Sequence, residues 1–359
     1  MGARAVRGYI LTAKGRQDAM EQGLDRERLI RLVDAFAGKR VLVVGDLVAD
    51  EYIIGAPLKV SREAPVLILG QREHYTVPGG AMNPGVNART LGAEVFICGV
   101  TGDDASGARL RERLSGYGIA LDGVLSEPHR PTTTKTRIFA GDSQLVRQQI
   151  VRVDVLDNSQ LGDGCKRQML AYLRATIPAV DALILSDYEN GVISPEIIET
   201  AIPLARDAGK IIIVDAHGDL DRFQGVTALT PNQPEAEATL GRRIQHRADL
   251  DAAGRELLAR THAQGLLITR GSEGMSLFER DQSPLHLPAF YQGEVADPTG
   301  AGDTVAATFT LALTAGATQA EAALLANIAA GLVIQRLGNA TNTPQELIAA
   351  VRAHAQAGD

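Results

Sequence analysis

Toward the C-terminal end of the chain, Asp297-Pro298-Thr299-Gly300-Ala301-Gly302-Asp303-Thr304 runs directly into a long apolar helical pattern. Two glycines just before a helix leave backbone N–H groups free to face an anion, and the helix N-terminus adds partial positive charge. A carboxylate beside such an anion hole would repel a phosphate that was merely bound. It makes sense as a general base. Asp303 would take a proton from an attacking hydroxyl while the amides of Gly300, Ala301, Gly302 and Asp303 hold the charge of a transferred phosphoryl group. The alternative is an ordinary glycine turn with an Asp near a helix N-cap.

Other residues could bind the reactants. Asp46, Val48 and Asp50 share a face if the strand through Val41–Val44 continues past its apolar run. Carboxylates beyond the C-terminal end of a parallel strand lie where α/β folds bind ligands, and they accept hydrogen bonds from hydroxyls. The alternative is a solvated loop of acids. Lys135 and Arg137 are also two apart, and with Arg147 and Arg152 they would offer cations to a substrate phosphate. The alternative there is exposed surface charge. His217 and the other histidines lack metal-site spacing and read as surface or site-lining residues.

Such residues need a frame. Short apolar runs recur at Val41–Val44, Val95–Ile97, Ala182–Leu185, Ile211–Val214 and Leu266–Ile268. Consecutive apolar positions predict strands covered on both faces. Helical patterns lie between them, at Ala105–Leu114, Pro195–Ala208 and Leu250–Ala263. This order predicts βαβ units and a doubly wound α/β fold with a mainly parallel sheet. The segments at about 52–75 and 132–154 instead alternate with glycine turns, which predicts a small β-lid. Residues 1–23 read as a mobile extension and residues 24–359 as one domain.

Composition narrows the class. Among 359 residues, 45% are hydrophobic and 22% charged, enough apolar material for a large core. The net charge of -7 disfavours nonspecific binding to nucleic acid or an anionic membrane. Two cysteines exclude a disulfide scaffold and fit a reducing cytosol, so a cytoplasmic location is expected. The alanine-rich stretch from Val305 to Leu337 is broken by Glu321, Asn327 and Gln335, so it predicts a buried helix pair and not a membrane span.

The eight-residue string resembles the second signature of the ribokinase-like (phosphofructokinase-B-type) carbohydrate kinases. Gly79-Gly80-Ala81-Met82-Asn83 resembles the family's substrate loop, and Gly99-Val100-Thr101-Gly102-Asp103-Asp104 with Gly107 the strand-end motif that follows it. Asn232-Gln233-Pro234-Glu235 is similar to the element that positions Mg²⁺ and phosphate, where one acid can act through water. Thr269-Arg270-Gly271 and Gly274 resemble the nucleotide-side turn, and Asn327 falls at the adenine pocket. The resemblance covers about 41–351. It implies ATP and Mg²⁺ as cofactors, with Thr299, Thr269, Gly271, Gly274 and Asn327 on the nucleotide and Asn232 and Glu235 near the metal. Gly79, Gly80 and Asn83 would meet the sugar. A monovalent cation such as K⁺ near Asp297 is left open, and a homodimer through the β-lid is expected.

Within that family the chain most resembles the heptose 7-phosphate kinase branch, through Gly45–Asp50, Ser61–Val66, Thr134–Arg137, Gln148–Asp154 and Ser186-Asp187-Tyr188. This adds Asp187 to the substrate residues. It implies an ATP-dependent kinase acting on a sugar phosphate of the ADP-heptose and lipopolysaccharide precursor pathway. Some members of the branch carry an adenylyltransferase. No His-x-Gly-His element occurs here, so nucleotidyl transfer is expected of another protein. Two departures stand out: Asn190 and His217 occupy places where the branch would have Lys. The alternatives are a kinase of an unphosphorylated sugar or nucleoside and a non-catalytic sugar- or nucleotide-binding protein. A dinucleotide oxidoreductase would need Gly-x-Gly-x-x-Gly after the first strand, where Gly45-Asp46-Leu47 stands.

Overall fold

The structure, a computed structural model, describes residues 25–141 and 148–356. The expected extension over 1–23 and Arg147 lie outside them. In chain order the strands are β1 (Arg40–Gly45), β2 (Leu47–Val60), β3 (Leu67–Gly80), β4 (Glu94–Gly102), β5 (Val124–Glu127), β6 (Thr134–Ala140) and β7 (Gln148–Val155). They continue as β8 (Ala182–Asp187), β9 (Ile211–Ala216), β10 (Ala228–Leu229), β11 (Gly265–Thr269), β12 (Met275–Glu279) and β13 (Leu285–Leu287).

The main sheet has the order β13-β12-β11-β10-β9-β8-β1-β4-β5. Its strands alternate between two cores because successive side chains point to opposite faces. Val41 and Val43 enter one core, Leu42 and Val44 the other. Ile184 against Leu183 and Leu185, and Leu267 against Leu266 and Ile268, repeat the division. All five apolar runs of the sequence lie in strands of this sheet, and the pairs from β11 to β5 are parallel. Strands β12 and β13 add an antiparallel edge that helix–strand alternation does not foretell. The short Gly271–Gly274 turn between β11 and β12 leaves no room for a crossover helix, so the chain doubles back.

A second sheet, ordered β3-β2-β6-β7, occupies the two segments with strand alternation. β2 and β3 form a hairpin of 14-residue strands, and β6 joins β2 in parallel. β1 does not run on into β2. A Cβ at Gly45 would collide with the Ser186 carbonyl oxygen, so only glycine lets the chain turn this closely against β8.

The alanine-rich stretch forms two buried helices, Ala301–Thr314 and Gln319–Val333. The second starts with a capping box in which Thr318 and Glu321 satisfy each other's amides. Glu321 also pairs with Arg28 at 2.5 Å, fixing the helix Arg26–Asp34. Among the described residues no helix is long and apolar enough to cross a membrane.

Candidate active site

The helix Ala301–Thr314 begins at Gly300, whose φ of 79° is left-handed. Its hydrogen atom also makes room for Asn83, since a Cβ there would stand 2.6 Å from Asn83 Nδ2. Asp297 braces the turn by accepting from Thr299 N and Gly338 N, both at 2.9 Å. The Ala301 amide donates to the Pro298 carbonyl, which takes it out of the expected anion hole. Among the described residues the amides of Gly302 and Asp303 have no protein acceptor, so two donors face outward at the helix N-terminus.

Asp303 lies in the first turn of that helix and is buried. Its Oδ2 accepts from Asn83 Nδ2 at 2.7 Å and its Oδ1 from the Tyr188 hydroxyl at 3.0 Å. Burial, and then the charge of Asp215, push its pKa up to about 7, against the two hydrogen bonds. A carboxylate tuned near neutrality is suited to take and release a proton at working pH.

Two cavities meet at this point. A polar one of about 260 Å³ is lined by Asp50, Gly80, Asn83, Lys135, Tyr188 and Asp303, among others. A larger one of about 450 Å³ lies on the other side of Gly302, with Gly271, Gly274, Phe290, Tyr291, Asn327 and Ile334 in its walls. Thr269 and Gly302 border both, while Thr299 belongs to the polar one. The second has the size and apolar lining of a site for a flat heteroaromatic ring. Asn327 reaches it with its amide committed: Oδ1 accepts from Phe290 N and Nδ2 donates to the Pro288 carbonyl. It holds the wall of that cavity in place.

Other sequence candidates divide between cavity and scaffold. Asp50 faces the polar cavity, where Oδ1 accepts from Arg137 Nη1 at 2.5 Å and Oδ2 from Asn339 Nδ2 at 3.1 Å. Gly79 lies directly beside it, because a Cβ there would collide with the Asp50 carboxylate. Asp46 turns away. With 1% exposure it accepts amides from Tyr188, Asn190 and Val192, an outcome the assumed continuous strand excluded. Burial pushes its pKa up while the three amides oppose the shift. Asp187 is also outside the cavity, paired with Arg222 at 2.9 Å. In Ser186-Asp187-Tyr188 it is the tyrosine that lines the cavity and meets Asp303.

The cations are similarly divided. Arg137 and Arg152 are cross-strand partners on β6 and β7, and each has a carboxylate already, Asp50 and Asp154. Lys135 Nζ lies 5.4 Å from the centre of the Tyr188 ring and, among the described residues, has no ion-pair partner. Asn190 is buried, its amide donates to Asp46, and its side chain does not line the cavity.

Asn232 and Glu235 form the capping box of helix Gln233–Leu240. Glu235 Oε2 accepts from Asn232 N at 2.7 Å, and Oε1 from Asn232 Nδ2 at 2.6 Å. Oε1 also takes a 2.5 Å hydrogen bond from His217 Nδ1, which must carry the proton since a carboxylate only accepts. This bond raises the His217 pKa, and burial acts against it. Asp215 is pushed up to about 6, by burial first and then by Glu235. The cavity floor therefore concentrates negative potential. Among the described residues no three His, Cys, Asp or Glu side chains stand together as a metal cage.

Sequence reasoning missed Asn339, Asp215 and the role of Tyr188. Asp215 was visible only as a residue after an apolar run, and Asn339 carried no local signal.

A family model described as pfkB family carbohydrate kinase matches residues 39–346. The bifunctional protein HldE of Geobacter metallireducens is 41% identical over 308 residues, covering 86% of this chain and 62% of the relative. That of Caulobacter vibrioides is 41% identical over 325 residues, covering 90% and 65%. The chain thus spans a little under two-thirds of the length of these relatives. Arabidopsis thaliana ribokinase complexed with ribose and ATP superposes with a TM-score of 0.68 at 22% identity, covering 88% of this chain and 99% of that one. Escherichia coli phosphofructokinase-2 in complex with potassium gives 0.70 at 17% identity, covering 89% and 99%. These two likenesses support the ribokinase-like fold. The order of the motifs, the fold and a family model over most of its length agree: the chain belongs to the pfkB family of carbohydrate kinases.

Proposed function

We propose that this kinase transfers the γ-phosphoryl group of ATP to a hydroxyl of a heptose 7-phosphate. The observation that carries the reading is Asp303, tuned near pH 7 and seated where the polar and apolar cavities meet beside two free amides. The sugar occupies the polar cavity with its hydroxyls on Asp50 and Asn83. The adenine ring lies in the apolar cavity, and the phosphates reach the Gly302 and Asp303 amides. Asp303 takes the proton of the attacking hydroxyl as its oxygen bonds to phosphorus and the bond to the ADP oxygen breaks. The amides stabilise the charge on the transferred group.

Mg²⁺ fits the floor of the cavity. Asp215 and Glu235 repel one another there, and a hard cation relieves that repulsion. Both Glu235 oxygens are engaged within the protein, so Asn232 and Glu235 would hold the ion through water. Bound Mg²⁺ supplies charge neutralisation at the phosphates.

Support for a phosphorylated sugar is Lys135, and the similarity to the HldE proteins favours heptose. One observation favours a free sugar instead: Arg137 and Arg152 already have carboxylate partners. ADP release measured over matched pairs of sugars and sugar phosphates decides. The expected result is the highest kcat/KM for the heptose 7-phosphate. Preference for the unphosphorylated member overturns the phosphate reading, and turnover of neither heptose overturns heptose itself.

A homodimer through the second sheet is proposed as well. Val151, Val153 and Val155 alternate along one face of edge strand β7, all exposed, and Leu58, Val60, Val66 and Leu67 are exposed on the hairpin. Such an apolar edge favours pairing with a like sheet. Sedimentation should give a dimer that Val153→Asp dissociates; a wild-type monomer refutes it.

A further inference from the structure

Asn339 sits in the bend that follows the helix Gln319–Val333, and nothing in its neighbourhood of the sequence marks it. The bend is tightly built. Arg336 donates to the Thr341 carbonyl at 2.9 Å and to Asn342 Oδ1 at 2.8 Å, and Asn342 Nδ2 donates to the Ala329 carbonyl at 2.8 Å. Two adjacent residues of this bend grip two different parts of the site. The Gly338 amide donates to Asp297 Oδ2, at the start of the turn that presents Gly302 and Asp303. The Asn339 amide donates to Asp50 Oδ2 at 3.1 Å and to the Pro78 carbonyl at 3.3 Å, both in the second sheet.

Both partners of Asn339 Nδ2 are acceptors, which fixes the amide orientation: a flipped side chain would set oxygen against the Asp50 carboxylate. Its Oδ1 is therefore turned the other way, toward Gly300, and would stand 3.3 Å from a Cβ placed there. This oxygen is buried and, among the described residues, has no hydrogen-bond donor. A buried acceptor left unsatisfied costs free energy until a donor arrives. Asp50 is meanwhile held from both sides, by Arg137 on one oxygen and Asn339 on the other, so its position depends on this bend.

We infer that Asn339 is a positioning residue for the acceptor sugar, and that it couples the sugar end of the site to the Asp297–Gly302 turn on the nucleotide side. The inference rests on the reading of the polar cavity as the sugar site. A sugar hydroxyl that engages Asp50 settles the carboxylate against Asn339. The rigid bend carries that constraint to Asp297 and Gly300. By linkage, a nucleotide that orders the same turn must strengthen sugar binding to the same degree.

The test is calorimetry of D-glycero-D-manno-heptose 7-phosphate, with and without AMP-PNP and Mg²⁺, on wild type, Asn339→Ala and Asn339→Asp. In the wild type AMP-PNP should tighten sugar binding by about fivefold or more. Asn339→Ala should weaken sugar binding about tenfold and reduce the AMP-PNP effect to within about twofold of none. AMP-PNP affinity by itself should not change, which also verifies that the variant is folded. Asn339→Asp, which sets a second carboxylate beside Asp50, should bind the sugar more weakly still. Unchanged sugar affinity in Asn339→Ala overturns the inference, as does weaker binding with the AMP-PNP effect intact or a wild type without that effect. If wild type ignores the heptose phosphate but phosphorylates another sugar, the substrate reading fails alone. The same titrations with that sugar then decide for Asn339, and an enzyme that binds no sugar refutes both.

Discussion

The Tyr188 hydroxyl donates to Asp303 Oδ1 at 3.0 Å, and the Tyr188 ring meets the His217 ring edge-on with centroids 4.4 Å apart. Tyr188 thus stands between the base and the cavity floor. Burial, and then Asp303 and Asp215, hold the phenol's pKa well above its ordinary value, so it stays a proton donor. A donor to a carboxylate stabilises the ionised form and lowers its pKa. Tyr188→Phe removes that donor, so the Asp303 pKa must rise above its present value of about 7. The acid limb of kcat/KM should move to higher pH. The loss should be about two- to tenfold at pH 6.5 and shrink toward pH 9. A pH profile of the variant checks this; a uniform loss at every pH would show that Tyr188 only supports the fold.

Asp303→Asn should lower kcat by about 10²- to 10⁴-fold, the usual contribution of a placed general base. Asn keeps the shape and can still meet Asn83 and Tyr188 but cannot take the proton. Sugar and nucleotide affinities, measured by calorimetry, should stay near those of the wild type. Retention of more than about a tenth of the activity would remove Asp303 from the role of base.

What the sequence disclosed follows from distance along the chain. The string that carries Asp303 is contiguous, and its chemistry needs only a turn and a helix start. The capping box of Asn232 and Glu235 is equally local. The main strands declared themselves because both faces are buried, which makes every position apolar. The failures are long-range. Asp46 seemed a ligand because nothing local showed that amides 142 to 146 residues away would claim it. Asp187 seemed one until Arg222, 35 residues on, took its carboxylate. Asn339 reaches Asp50 across 289 residues, a pairing that neither spacing nor period can reveal.

Lys135→Met tests the cation of the second sheet that lines the polar cavity and has no ion-pair partner among the described residues. A charge-assisted contact to phosphate is worth roughly 1.5 to 3 kcal/mol, so KM for a heptose 7-phosphate should rise about tenfold or more. KM for ATP should not move, because Lys135 lines only the polar cavity. Turnover of the unphosphorylated heptose should be nearly unaffected. Equal losses for the sugar and its phosphate would show that Lys135 acts through Tyr188 and not on the phosphate.

The elevated pKa of Asp303 also has a consequence for stability. The folded protein holds this proton up to about pH 7, whereas an unfolded chain releases it near the ordinary aspartate value of 3.8. Below pH 3.8 both states are protonated and the stabilising contribution of the neutral folded form is fully present. As pH rises through 3.8 toward 7 the unfolded state gives up its proton first, and that contribution is lost, completely so above the folded pKa. Asp303→Asn is neutral at every pH and escapes this loss. The variant should therefore melt higher than the wild type at pH 8, by roughly 2 °C or more. The gap should narrow steadily toward pH 4.5. Thermal melts of the two proteins without ligands, at half-unit steps of pH, measure it directly. A variant less stable at pH 8, or a gap independent of pH, would mean that Asp303 is already ionised at little cost in the folded protein, and that its pKa is not raised.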